Sequence, residues 1–422
     1  MSAIEQLLEP IKIPDMVRIK QSFDSTYLED PEQELRAKLD AKDVTSLIKK
    51  GQKIAVAVGS RGISNISLAV KVVVEELKKA GAEPFIVPAM GSHAGANAEG
   101  QKNMLAGLGV TEETIGAPIR ATMEVVQIGT SVNGLPVYLD KYAYEADAIV
   151  IINRIKPHVG FRGPYESGLM KMITIGLGKQ KGADICHELG FGKMAENIPA
   201  IASVTLAKTN LLFGVALLEN AYHNTCRIEV LKNEEIAAEE PALLALGKTL
   251  IPKLYFDSLD VLIIDEIGKD ISGTGFDNNI VGRYHSPFVS GGPNITRIAT
   301  LDITEKSHGN GNGLGILDFT TKRAFEKFSF EQTYPNALTS TVPLSVKIPM
   351  VLNNDKQAIQ AAIKTCNILD KENVRLVRIK NTLSLGEIEV SVNLLPEVEN
   401  NPHLKVLGNP YELSFDCNGN LF

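Results

Sequence analysis

Residues 51–62 read GQKIAVAVGSRG, and this stretch decides the fold class. Ile54 to Val58 is apolar throughout, which suits a strand covered on both faces better than one with a wet side. Gly59 stops the strand and hands Ser60 and Arg61 to a loop. Asn65 to Lys79 then places apolar residues at helical spacing and ends before Gly81. A second strand, Pro84 to Val87, runs into the loop PAMGSHAGANAEG at 88–100. Strand, loop, helix, strand, loop is a parallel α/β unit, and its loops leave the carboxyl ends of the strands, where ligands gather.

The pattern extends in both directions. Residues 29–50 alternate charged and apolar positions as a helix does, and a short helix after Gln101 ends at Gly109. Met123 to Ile128 and Pro136 to Leu139 predict a hairpin around Asn133-Gly134. Ala146 to Asn153 is another wholly covered strand, followed by apolar segments at Leu206 to Leu218 and Cys226 to Val230 and an acidic helix at Asn233 to Leu246. Beyond a crossing near residue 255, Val261 to Ile264, Asn294 to Leu301, Asp355 to Thr365 and Val374 to Ile379 predict a second α/β module. The expected domains are therefore 1–255 and 256–422.

Composition narrows the function. A chain of 422 residues with 44% apolar and 22% charged residues is long enough for two cores and is not disordered. The formal charge of −7 offers no general attraction for nucleic acid. Cys186, Cys226, Cys366 and Cys417 form no CxxC pair, so reduced thiols are the simpler reading. The N-terminus lacks a basic region followed by an apolar core, and no stretch has the length of a membrane span, so a cytoplasmic location is expected.

Titratable residues cluster after the third covered strand, in NRIKPHVGFRGPYESGLMKMITIGLGKQKGADICHE at 153–188. Arg154, Lys156, His158, Arg162, Glu166, Lys171, Lys179, Lys181 and His187 lie beside apolar strands, where unpaired charge is costly. A site that uses them is the natural explanation. Pro157 biases Lys156 toward extended backbone, which keeps His158 on a loop. His93 sits among small residues after the second strand, with Asn97 and Glu99 suited to cap the following helix. His158 fits catalysis or metal contact, or a hydrogen-bonded structural role; His93 fits a functional role, or simple loop polarity. Arg61 suits a two-pronged grip on a carboxylate or phosphate, or an ion pair. Lys171 offers an amine for covalent attachment and His187 a nitrogen for nickel or zinc; spacing alone decides neither. No Walker or dinucleotide fingerprint follows the first strand.

VGSRGISN with Arg61, GSH with His93, PHVGFRG with His158, and ESGLMKMITIGLGK through ADICHE with Lys171 and His187 resemble the nickel-dependent lactate racemase family. The resemblance implies a two-domain α/β fold: a parallel-sheet N-terminal domain, a smaller C-terminal α/β domain and an active site in the cleft between them. It further implies a racemase or epimerase, an isomerase acting on a 2-hydroxy acid. The cofactor implied is a nickel pincer nucleotide of the pyridinium-3,5-bisthiocarboxylic acid mononucleotide type, made by cofactor-maturation enzymes. By the same resemblance Lys171 is its covalent anchor, His187 its nickel ligand, His93 and His158 the acid/base pair, and Arg61 the carboxylate clamp. Lys269 in DEIGKDISG is a substrate-binding candidate in the second domain, with a surface ion pair as its alternative. Arg283 and His308 are weaker candidates for cleft and lid.

The chain departs from the familiar pattern around Arg61, where Gly59 and Ser60 precede it and Gly62 follows, and in the GLMKM setting of Lys171. These departures point away from lactate itself. Two other readings compete: a zinc-type hydrolase or lyase built on His93, His158 and His187, and a noncatalytic carrier of the nickel nucleotide.

Overall fold

The computed structural model describes residues 2–60 and 62–422. It divides into two compact units, one of Asp24–Ile251 and one formed by residues up to Phe23 together with Pro252–Phe422. The first strand, β1 (Met16–Gln21), belongs to the second of these.

The unit Asp24–Ile251 contains β2 (Lys53–Val58), β3 (Glu83–Pro88), the hairpin β4 (Val125–Thr130) and β5 (Pro136–Asp140), then β6 (Ala148–Arg154), β7 (Leu211–Glu219) and β8 (Thr225–Lys232). Five strands form one sheet in the order β3-β2-β6-β7-β8. All pairs are parallel except β7 with β8. Ile54 pairs with Pro84 on one side and Ala148 on the other. The whole run Ile54–Val58 is at 0% exposure, as an interior strand with both faces covered requires. Helix α1 (Ile66–Lys79) lays Val70, Val73, Val74 and Leu77 into this core. Each such side chain contributes about 1.5–3 kcal/mol through removal from water. The apolar segment 206–218 around Asn210 resolves into the end of helix α5 (Met194–Lys208) and β7 from Leu211.

The other unit holds β9 (Ser258–Ile267), β10 (Asn294–Ile303), β11 (Phe319–Thr321), β12 (Met350–Leu352), β13 (Leu376–Ile379), β14 (Glu387–Ser391) and β15 (Leu404–Val406). With β1 they form an eight-stranded sheet in the order β12-β11-β10-β9-β13-β14-β1-β15. Its β12-to-β13 portion is parallel, and the portion containing β1 is antiparallel. Met16 pairs with Ser391 and Ile19 with both Ile388 and Val406, so the N-terminal residues, read above with the first domain, complete a sheet made by the far end of the chain. Among the described residues no helix is long and apolar enough to cross a membrane.

Candidate functional site

Because β2, β3 and β6 run parallel, their carboxyl ends emerge on one edge of the sheet. Ser60, His93 and His158 follow those three ends.

The His93 loop is braced by a close backbone approach. Gly91 adopts φ 59°, and its N–H donates to the Gly176 carbonyl at 3.1 Å. A Cβ on Gly91 would lie only 3.0 Å from Ile175, so glycine is needed for space as well as for conformation. Ala94 and Ala96 also lie in the left-handed region, at φ 55° and 52°, a conformation that costs an L-residue about 1–2 kcal/mol. The strain is held in place from below: the buried Gln101 side chain donates to the Gly91 carbonyl at 2.9 Å, and Asn97 caps helix α2 (Ala98–Gly107) through the Gly100 N–H. His93 Nδ1 shares a 2.5 Å hydrogen bond with the Ser60 hydroxyl, which can accept or donate according to the ring's protonation.

His158 stands on a loop closed by a pair of hydrogen bonds between Lys156 and Ser167. The fully buried Glu166 carboxylate organises this loop. It accepts the His158 backbone N–H at 2.8 Å and pairs with the Lys248 ammonium at 2.7 Å. Arg162 donates to the His158 carbonyl at 2.7 Å. On the ring, Nδ1 accepts the Gly160 N–H at 3.0 Å, so the neutral imidazole carries its proton on Nε2.

Lys171 ends the short helix α3 (Leu169–Lys171), a π-helical turn follows at Met172–Gly176, and helix α4 (Lys179–His187) ends at His187. His187 has the opposite tautomer to His158. Its Nδ1 donates to the Ala183 carbonyl at 2.7 Å, leaving Nε2 as a lone-pair donor. Enclosure by protein atoms pulls its pKa down to about 4, and the nearby Lys171 charge pushes the same way, while the Ala183 carbonyl opposes them. The Cys186 thiol beside it is pushed up to about 12 by burial and is inert.

These facts predict a pH effect. The unfolded chain protonates His187 as pH falls through 6.5, whereas the folded chain resists until about 4. Stability is therefore intact above the upper value and declines between the two. The ring is partly accessible, which reduces the full shift to an expected loss of about 2 kcal/mol. Urea unfolding at the two ends of that window, compared with His187→Gln, checks this; an unchanged pH dependence in the variant contradicts it.

Aromatic contacts draw the pieces together. The Phe191 ring lies 5.8 Å from both His158 and His187, and Phe161 lies 4.5 Å from His158. His158, His187 and, through its charge, Lys171 thus share one neighbourhood. Arg61 lies outside the described residues. Lys269 is in the other unit, where its ammonium donates to the Gly273 carbonyl at 2.9 Å within its own loop. Arg283 is likewise tied down there, by the Asp318 carboxylate at 3.2 Å. Lys179, grouped above with the site residues, is instead sealed inside. At 0% exposure its ammonium contacts the Pro88 backbone carbonyl, the Gln101 side-chain oxygen Oε1 at 3.1 Å and the Asp140 carboxylate at 3.1 Å. It fastens the structure behind the His93 loop.

Among the described residues no cluster of three or more His, Cys, Asp or Glu side chains is arranged to hold a metal ion. A metal carried at His187 would draw its remaining donors from a bound group. A lone imidazole with Nε2 bare and a lysine amine in its electrostatic field fit such a group.

The fold is α/β and multidomain, with its candidate residues on the loops at the carboxyl edge of a parallel sheet. Residues 9–197 match the lactate racemase N-terminal domain, and over that part the chain is similar to the lactate racemase family. The lactate racemase apoprotein of Thermoanaerobacterium thermosaccharolyticum is similar in structure, with a TM-score of 0.54 and 14% identity over 88% of this chain and 99% of that one. A Thermotoga maritima protein matches with a TM-score of 0.54 and 13% identity over 85% of this chain and 99% of that one. Comparison with curated proteins gives no match.

Proposed function

We propose that this protein is a racemase or epimerase of a 2-hydroxy acid, working with a nickel pincer nucleotide attached to Lys171 and ligated by His187. The observation that carries the reading is the His187 tautomer: Nδ1 is tied to Ala183, Nε2 is unprotonated, and a depressed pKa keeps the ring a ligand at neutral pH. The match to the racemase domain over residues 9–197 supports the same conclusion. When bound, the nucleotide supplies a reversible acceptor for the hydride on the substrate's C2.

The remaining chemistry belongs to the chain. One histidine takes the hydroxyl proton as the C2–H bond breaks, and the other serves the hydroxyl after the planar 2-oxo acid presents its opposite face. His93 is adapted to this by the Ser60 hydroxyl, which accepts Nδ1–H whenever Nε2 is the base. His158 rests with its proton on Nε2, from which it can hydrogen-bond the substrate oxygen; to serve as the base it must first move that proton to Nδ1, giving up the Gly160 contact. Arg61 has the chemistry to hold the substrate carboxylate during that reorientation. Phe161 and Phe191 provide an apolar wall that raises the strength of these polar contacts by excluding water.

Production beside maturation enzymes that load a known lactate racemase is the direct test. Intact-mass and peptide analysis should find a nucleotide adduct on Lys171 with stoichiometric nickel, absent from Lys171→Ala. Enantiopure 2-hydroxy acids deuterated at C2 should invert while keeping their label. A chain with neither adduct nor nickel overturns the proposal, and a loaded chain that passes its cofactor on while turning over no such acid identifies a carrier.

A further inference from the structure

Helix α6 (Asn233–Leu250) reaches the loop between His158 and Lys171 at three points. Pro241 has no N–H, so the Ala237 carbonyl lacks its usual helical donor; the Tyr165 hydroxyl occupies it at 2.6 Å. Lys248 holds Glu166, and through it the His158 backbone. Between them, Glu240 is at 0% exposure, and its Oε2 accepts the Met170 N–H at 2.8 Å, the amide immediately before Lys171. The Leu169 amide also faces this carboxylate. Among the described residues Oε1 has no hydrogen-bond partner. A carboxyl group enclosed this way is expensive to bury, and its retention needs a reason beyond packing.

Two neighbours show how closely the backbone has been fitted to it. Gly168 is extended, so glycine is not needed there for conformation, but a Cβ would collide with Glu240 Oε1. The Gly168 carbonyl in turn accepts from the Asn153 side chain at 2.9 Å, and Asn153 is the penultimate residue of strand β6. A Cβ on Gly59 would strike that same asparagine, at 2.5 Å from Oδ1. The start of the Lys171 helix is thus clamped between the end of β6 and the carboxylate from α6.

We infer that Glu240 is a positioning residue for Lys171: it fixes the two amides that begin α3 and thereby aims the lysine amine. This rests on the reading of Lys171 as the cofactor anchor, but the geometry can be tested without any cofactor. In the full chain produced without maturation enzymes, the acylation rate of Lys171 is followed by peptide mass spectrometry across pH, with Lys181 and Lys193 as internal references. Glu240→Gln keeps the volume and removes one acceptor; Gly168→Ala displaces the carboxylate by collision. Both should change the Lys171 rate at least threefold and shift its pH midpoint, with the reference lysines unchanged. Lys248→Met, which disturbs the His158 loop, should leave Lys171 labelling as it was. An unaltered Lys171 profile in both folded variants overturns the inference. Should either variant fail to fold, hydrogen exchange at the Met170 amide of the unaltered chain decides: protection supports the clamp, and rapid exchange refutes it. Absence of the nucleotide adduct in the loading experiment defeats the function and leaves this result standing.

Discussion

Lys179→Met is expected to destabilise the unit Asp24–Ile251 by about 3–5 kcal/mol, the cost of leaving one partner of a buried ion pair uncompensated. Both Lys179 and Asp140 have fully enclosed side chains. Burial lowers the lysine pKa and raises that of the aspartate, and each charge opposes the other's shift. Methionine is of similar length and removes the charge, leaving Asp140 with the backbone N–H groups of Ala143, at 3.0 Å, and Tyr142 but no cation. The second variant Asp140→Asn separates this cause from simple packing: added to Lys179→Met, it should return a large part of the loss, because the stranded charge has gone. Urea unfolding monitored by circular dichroism is the measurement. A loss below about 1 kcal/mol for Lys179→Met, or no recovery in the double variant, contradicts the account.

The same residue marks where sequence reading stops. Lys179 lies in a segment crowded with titratable groups, and proximity in sequence suggested a shared site. Its left-handed backbone, φ 55°, turns the side chain away into the interior, and a single non-glycine residue in that conformation has no periodic signature. The strands were legible because Ile54–Val58 and Ala148–Ile152 are covered on both faces and therefore wholly apolar. By contrast, β1 joins β14 and β15, whose residues lie more than 360 positions away, and no local pattern carries that pairing. Glu240 did leave a trace. It occupies the same stripe of its helix as Ile236, Leu243, Leu244 and Gly247, all buried, so an acid stands where helical periodicity calls for an apolar residue. His158 could be picked out beyond a strand end and His187 through the ADICHE motif, but their opposite tautomers follow from the Gly160 amide and the Ala183 carbonyl, partners that only the fold brings into place.

Those tautomers lead to the largest expected catalytic effect. His93→Asn and His158→Asn should each lower racemisation by about 10²–10⁴-fold, the range for loss of a positioned acid or base. Both directions of net interconversion must fall together, because an enzyme cannot alter the equilibrium between enantiomers. The first half of the reaction is not bound by that symmetry. Each enantiomer presents its hydroxyl to one histidine, so each variant should still form the 2-oxo acid in a single turnover from the enantiomer served by the histidine it retains. Residual half-reactions of opposite handedness in the two variants would assign one face to each imidazole. If both variants spare the same enantiomer, or if either lowers racemisation less than tenfold, the two-base arrangement is wrong. The Ser60 contact makes a subsidiary distinction: Ser60→Ala should raise the barrier only for the half-reaction in which His93 is the base, since that state needs an acceptor for Nδ1–H, and the His158 half should proceed as before.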